Sequence, residues 1–155
     1  MHPLMYDAFM NFMEKTKNVK KAYFREYSLN QGTMVLPANF FKSNVFKQWE
    51  HVVIELNSMI SDEDFLSSNA RYLALKCDTI SENAINRKIR IWLETRIEIE
   101  FEISLETRRK MNLDVILQNL PFEYISAAIC FKIRRQDGII GTIYVNENGL
   151  WFGIE

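Results

Sequence analysis

His51 and Glu55 stand four residues apart, and on a helix such a pair would be neighbours able to pass a proton or share a metal ion. The surrounding stretch predicts a helix from Ser43 to about Ile60, with Phe46, Trp49, Val52, Val53, Leu56 and Ile60 on one side. On that wheel the pair lies opposite the apolar stripe and faces water, where an ion pair gains little. Glu98, Glu100 and Glu102 form a second acidic set. Alternate residues of a strand are roughly 6.6 Å apart, whereas a metal needs oxygens converging within about 2.6 Å of one point. The glutamates therefore read as a ladder to Lys132 and Arg134 or as an acidic patch for a basic partner, and no metal site is expected.

Other chemistry-bearing patterns are absent or empty. Cys77 and Cys130 are the only cysteines and lack metal or redox spacing, so both read as reduced, buried thiols. Gly138-Ile139-Ile140-Gly141 spans a hairpin, not a turn between helices, and so is no nucleic-acid loop. There is no phosphate-cradling loop, nucleophile elbow or zinc-binding pattern. No catalytic residue and no cofactor is assigned. The tract from Lys15 to Arg25 and the run Arg108 to Lys110 are basic, but Lys and Arg number 19 against 20 Asp and Glu, a balance that disfavours nucleic acid as partner. Aromatic residues among charges are the feature left over. Trp92, Tyr144 and Trp151 fall on predicted polar strand faces, where such residues serve as interface anchors.

These residues must be positioned by a small set of elements. Leu4, Met5, Ala8, Phe9, Phe12 and Met13 come after Pro3 at helical spacing and predict an N-terminal amphipathic helix. Asn30-Gln31-Gly32 and Pro37 break any helix between Ala22 and Phe41, and Ser61 with its acids predicts a fresh helix start. From Phe65 to Ile80 helical and strand spacing compete; a helix to about Ala70 and a strand over 71–79 are expected, with a helix through 71–80 as the alternative. Lys88 to Ser104 alternates, with Ile89, Ile91, Leu93, Ile97, Ile99, Phe101 and Ile103 on one parity and mostly charged residues on the other. A straight strand of that length would run roughly 56 Å, against a radius of gyration of about 15 Å. The strand must therefore bend, bulge or begin as something else, and a bend is expected between Trp92 and Arg96.

Helical spacing returns from Leu105 to Leu120, and Pro121 stops it. Beyond it, Asp137-Gly138 and Asn148-Gly149 predict a meander with strands near 125–135, 139–146 and 150–154. A three-residue loop over Gln136, Asp137 and Gly138 opposes Phe131 to Ile143, with Gly138 left-handed. A two-residue Asn148-Gly149 turn opposes Val145 to Phe152. Both place Tyr144 and Trp151 away from the apolar side.

The resulting expectation is an α+β fold over one domain, residues 1–155, with N-terminal amphipathic helices on an antiparallel sheet of four to five strands that ends in the meander. No signal peptide or membrane span is read, and a cytoplasmic chain is expected. In size, charge segregation and absence of catalytic motifs, the chain resembles the bacterial immunity proteins that neutralise a cognate toxin domain, including those of contact-dependent inhibition systems. The resemblance implies a non-enzymatic protein partner, often a basic nuclease, blocked by occlusion. Trp92, Glu98, Glu100, Glu102, Tyr144 and Trp151 are the partner-binding candidates. A small enzyme or ligand-binding domain with a pocket between helices and sheet is the alternative, and homodimerisation through a strand edge stays open.

Overall fold

The computed structural model describes Asn11, Lys15 and residues 19–25, 35–95, 100–126 and 129–154. Its elements in chain order are β1 (Lys21–Phe24), β2 (Val35–Leu36), α1 (Ala38–Phe41), α2 (Asn44–Gln48), β3 (His51–Ser58), α3 (Asp62–Ser67), β4 (Tyr72–Lys76), α4 (Glu82–Glu94), β5 (Glu102–Glu106), α5 (Leu113–Ile116), β6 (Phe122–Ser126), β7 (Cys130–Arg134), β8 (Ile140–Asn146) and β9 (Gly149–Ile154). Apart from Asn11, the predicted helix over Leu4 to Met13 lies outside the described residues, as do the Asn30-Gln31-Gly32 turn and Glu98.

The strands form one nine-stranded sheet in the order β1-β3-β4-β5-β9-β8-β7-β6, with β2 also pairing β3. The fold is α+β as expected, but the sheet is about twice the expected size and the described helices alternate with its strands. Pairing is parallel from β1 through β5 and antiparallel from β5 through β6. The division follows from the connections. Helices α3 and α4 carry the chain between parallel neighbours β3, β4 and β5, whereas short turns suffice for the antiparallel meander.

Two stretches differ from their predicted type. Residues 51–58 are a strand rather than the second half of a helix. Val52, Ile54, Leu56 and Ser58 are buried and alternate with more exposed neighbours. Val52 and Leu56 belong to both an i, i+4 stripe and an i, i+2 row, so spacing alone could not separate the two. β-branched Val52, Val53 and Ile54 favour the extended form. The helix that Ser43 caps is α2 alone, where its side chain accepts the Phe46 N–H at 3.3 Å.

The second difference falls on Lys88 to Glu94, which continue helix α4 rather than begin a strand. Ser81 caps it by accepting the Ala84 N–H at 3.2 Å, a contact of about 1 kcal/mol. Ala84, Ile85, Lys88, Ile89 and Trp92 are buried, a stripe at 3.6-residue spacing that cuts across the even and odd parities. The irregularity expected near Trp92 to Arg96 is thus a helix end, with Thr95 as its C-cap. Among the described residues of this stretch, strand alternation holds in β5, where Ile103 and Leu105 face the core against Phe152 and Leu150.

Other predicted elements keep their type. Ser61 caps α3 through the Asp64 N–H, and 72–76 form a strand paired with β5. The predicted helix from Leu105 to Leu120 shrinks to Leu113–Ile116, because Thr107, Arg108 and Arg109 instead bind Asp78 and Glu82. In the meander, Phe131 opposes Ile143 and Gly138 has φ +91°, as the three-residue loop requires. The second hairpin is displaced by one turn position. Glu147 and Asn148 make the turn, so Val145 opposes Leu150 and Ile143 opposes Phe152. Gly149 is a strand residue there, and a Cβ on it would lie 1.9 Å from the Leu105 carbonyl oxygen. The shift keeps parity, so Tyr144 and Trp151 still share the outward side.

One hydrophobic cluster joins the described helices to a single face of the sheet. It includes Phe40 and Phe41 of α1, Phe46 of α2, Phe65 of α3, Ile85, Ile89 and Trp92 of α4, and Ile116 of α5. From the sheet come residues such as Val52, Leu73, Ile103, Ile143 and Phe152. Cys77 and Cys130 are buried free thiols, and no described helix is long and apolar enough to cross a membrane.

Candidate functional site

The opposite face of the sheet carries two in-register rows of side chains. The first runs Lys21, His51, Tyr72, Glu102, Gly153, Thr142, Lys132 and Glu123 across eight strands. The second runs Tyr23, Val53, Ala74, Ser104, Trp151, Tyr144 and Cys130. Each row follows from strand alternation, because the residues between them supply the helix-side core.

Aromatic rings are concentrated in two clusters on this face. Tyr23 Oη lies 3.0 Å from His51 Nε2, and the His51 ring stacks on Tyr72 at 4.2 Å with 8° between planes. Further across, Trp151 Nε1 donates to Glu102 Oε1 at 2.7 Å, and Tyr144 leans on Trp151 with centroids 5.5 Å apart. Trp151 also lies over Gly153, whose absent Cβ makes room for the indole. Tyr23 is 64% exposed and Tyr144 48% exposed. Burial, reinforced by Glu102 and Tyr23, pushes the Tyr72 phenol above its ordinary value.

A groove of about 730 Å³ opens where the parallel strands begin, over Lys20, His51, Arg71, Tyr72, Glu100 and Glu102. Its charges are mixed. Lys20 pairs with Glu50 at 2.8 Å, which lowers the Glu50 carboxyl below its usual range. Outside the groove, farther along β1 and β3, Glu55 accepts two bonds from Arg25, both 2.7 Å. Among the described residues, no group of three or more His, Cys, Asp or Glu is placed to hold a metal ion.

The expected site residues separate. Tyr144 and Trp151 sit together on the outward face as predicted. Trp92 does not: it is 4% exposed, packs edge-on to Phe152 at 5.1 Å and carries the Arg135 guanidinium over its ring at 5.2 Å. The correction follows from its place on the inner stripe of α4. Glu100 is exposed, Glu102 is half-buried on Trp151, and Glu98 lies outside the described residues. The ladder to Lys132 and Arg134 cannot include Glu102, because β9 and β8 intervene and three strand spacings amount to roughly 14 Å. His51 and Glu55 share a strand face about 13 Å apart and are not a pair.

Lys88, predicted on a charged strand face, is a buried cap. Its Nζ donates to the carbonyls of Phe65, Leu66 and Ser68 at 3.3, 3.1 and 2.8 Å, at the C-terminal end of α3. The basic run at 108–110 is also partly consumed internally, with Arg108 on Asp78 and Arg109 on Glu82. Sequence reasoning misses Tyr23, His51 and Tyr72 as members of the face. For Tyr72 the signal is the alternation in Tyr72-Leu73-Ala74-Leu75-Lys76 within the expected strand. No protein-family model, characterised relative or solved structure matches this chain.

Proposed function

We propose that this chain is a non-enzymatic protein-binding module that uses the sheet face opposite the described helices. The observation carrying the reading is the pair of aromatic clusters on that face, Tyr23–His51–Tyr72 and Trp151–Tyr144, set among Lys21, Glu100 and Glu102. Tyr and Trp supply large contact area at low entropic cost, and a Tyr hydroxyl can both donate and accept hydrogen bonds with a partner. The clusters are pre-ordered by the Tyr23–His51–Tyr72 stack and the Trp151–Glu102 bond, which reduces the ordering cost of association. The build supports an immunity protein of a bacterial cytoplasm that occludes a cognate toxin domain. A basic toxin surface would meet Glu100 and Glu102, with charge acting mainly on association rate.

The test is capture of a partner from the native cell, followed by calorimetric titration of the purified pair. Tyr144→Ala and Tyr72→Ala should each weaken binding about thirtyfold or more, the size of a hot-spot loss, while circular dichroism stays unchanged. A tight partner indifferent to both substitutions would place its site elsewhere and defeat the face model. Turnover of a substrate by the purified chain, without any protein partner, would remove the non-enzymatic reading altogether.

A further inference from the structure

A second, smaller cavity opens between the C-terminal end of α3 and the last turns of α4. It measures about 170 Å³, with Ala70, Ile91, Trp92 and Phe101 as apolar walls and Arg71 and Lys88 as its charges. No acid is among its described lining residues. The groove on the outer face is balanced by comparison, since Lys20, Lys21 and Arg71 there stand with Glu50, Glu100 and Glu102. Only Arg71 and Phe101 belong to both.

The two cations are in opposite states. Lys88 has its donors engaged by the Phe65, Leu66 and Ser68 carbonyls, so what it lends the cavity is charge. With its pKa lowered to about 8, it still carries the proton at pH 7. The Arg71 side chain is exposed and, among the described residues, makes no hydrogen bond or ion pair. Its field reaches Glu50, but that carboxylate is already bonded to Lys20. Its main chain is fixed on both sides, donating to the Glu50 carbonyl and accepting from the Glu102 N–H, both at 2.7 Å. A third donor lacks an acceptor: Trp92 Nε1 is buried with no hydrogen-bond partner, whereas buried polar side-chain groups are nearly always satisfied.

We propose that this cavity binds a small monocarboxylate with an aromatic or branched aliphatic body. The carboxylate meets Arg71, whose planar fork matches that group with two parallel bonds. The body packs against Ile91, Trp92 and Phe101, and Ile91 is 39% exposed for want of cover. Volume sets the size, because an apolar cavity of about 150 Å³ takes a benzene ring. Two cations without an acid select an anion over a neutral molecule of the same shape. A phosphate would bring more charge and more acceptors than one free guanidinium can satisfy. An oxygen carried in beside the indole also offers Trp92 Nε1 the acceptor it lacks.

Benzoate titrated into the isotope-labelled full chain, followed by two-dimensional NMR, tests this. The Trp92 Nε1–H resonance, assigned by through-bond correlation, should shift saturably. A dissociation constant on the order of 1 mM is expected, within the range of ligand efficiencies for about nine non-hydrogen atoms. Benzamide, of the same shape without the charge, should bind at least about tenfold more weakly. Arg71→Met should weaken benzoate by a similar factor with circular dichroism unchanged, since that side chain is exposed. Ile91→Glu, which sets an acid at the rim, should abolish the shift. No saturable shift up to about 20 mM benzoate, well above that constant, overturns the proposal. Equal affinity for benzamide, or an Arg71→Met chain that binds benzoate like wild type, does the same. Any of these results leaves the partner-binding face untouched, because its test rests on Tyr72 and Tyr144.

Discussion

Replacing Lys88 by Met tests whether a buried ammonium is a defect of this fold or one of its ties. Met keeps the length and packing of the stem while deleting the charge and its donors. Burial lowers the Lys88 pKa from 10.5 to about 8, which at about 1.4 kcal/mol per unit sets roughly 3 kcal/mol against the charged form. Against that stand three bonds to the Phe65, Leu66 and Ser68 carbonyls, each worth about 1.5–3 kcal/mol when the donor is charged. The helix dipole at the C-terminal end of α3 adds to them. The pKa stays lowered, so the bonds offset the desolvation cost without exceeding it. Phe65 O also accepts the Ser68 N–H, so Met leaves chiefly the Leu66 and Ser68 carbonyls without this donor, at about 1–3 kcal/mol apiece. K88M should lose about 2–4 kcal/mol at pH 7 in urea unfolding followed by tryptophan fluorescence.

The pH dependence gives an independent check. A lysine whose folded pKa lies below its unfolded value is carried more protonated by the unfolded chain as pH rises. Its contribution therefore increases stability between about pH 8 and 10.5, by at most about 3 kcal/mol, with the 10.5 and about 8 of Lys88 as limits. The gap between wild type and K88M should widen over that window. A K88M protein as stable as wild type at pH 7, or a gap independent of pH, would refute the account.

Cys77 acts in the opposite sense: burial raises its thiol from 9.0 to about 12, so the folded chain keeps its proton longest and stability falls as pH climbs from about 9 toward 12. Up to about 4 kcal/mol is lost there, and Cys77→Ala should flatten that alkaline limb in denaturant titrations. Gly149→Ala drives a Cβ to within 1.9 Å of the Leu105 carbonyl oxygen and should separate β5 from β9. A loss of about 2–4 kcal/mol is expected, read as a lower denaturation midpoint. Trp92→Ala empties a site beside Phe152 and beneath Arg135. It should destabilise by about 3–5 kcal/mol and leave the affinity of any remaining folded chain for its partner unchanged.

Sequence alone determined the features governed by near neighbours. Ser43 and Ser61 announce helix starts because a hydroxyl must satisfy an N–H within the first turn. The loop before Ile139 follows from parity, since any slip would turn Phe131 and Ile143 outward. Parity likewise sets Tyr144 and Trp151 on the outward face, even though the Asn148-Gly149 turn itself is displaced.

Tertiary structure decided what neighbours leave ambiguous. Val52 and Leu56 satisfy helical and extended spacing alike, and the sheet on both sides of β3 selects extension. Lys88 to Glu94 alternate like a strand, yet the stripe from Ala84 to Trp92 and the cap at Ser81 hold them helical. Lys88 then belongs to the end of α3 rather than to a charged surface. Strand order was equally beyond local reading: it joins His51 to Tyr72 and Glu102 to Trp151 through pairs far apart in sequence. Such pairings come from closing long loops onto a shared core, and their energy is spread over contacts that no local spacing records.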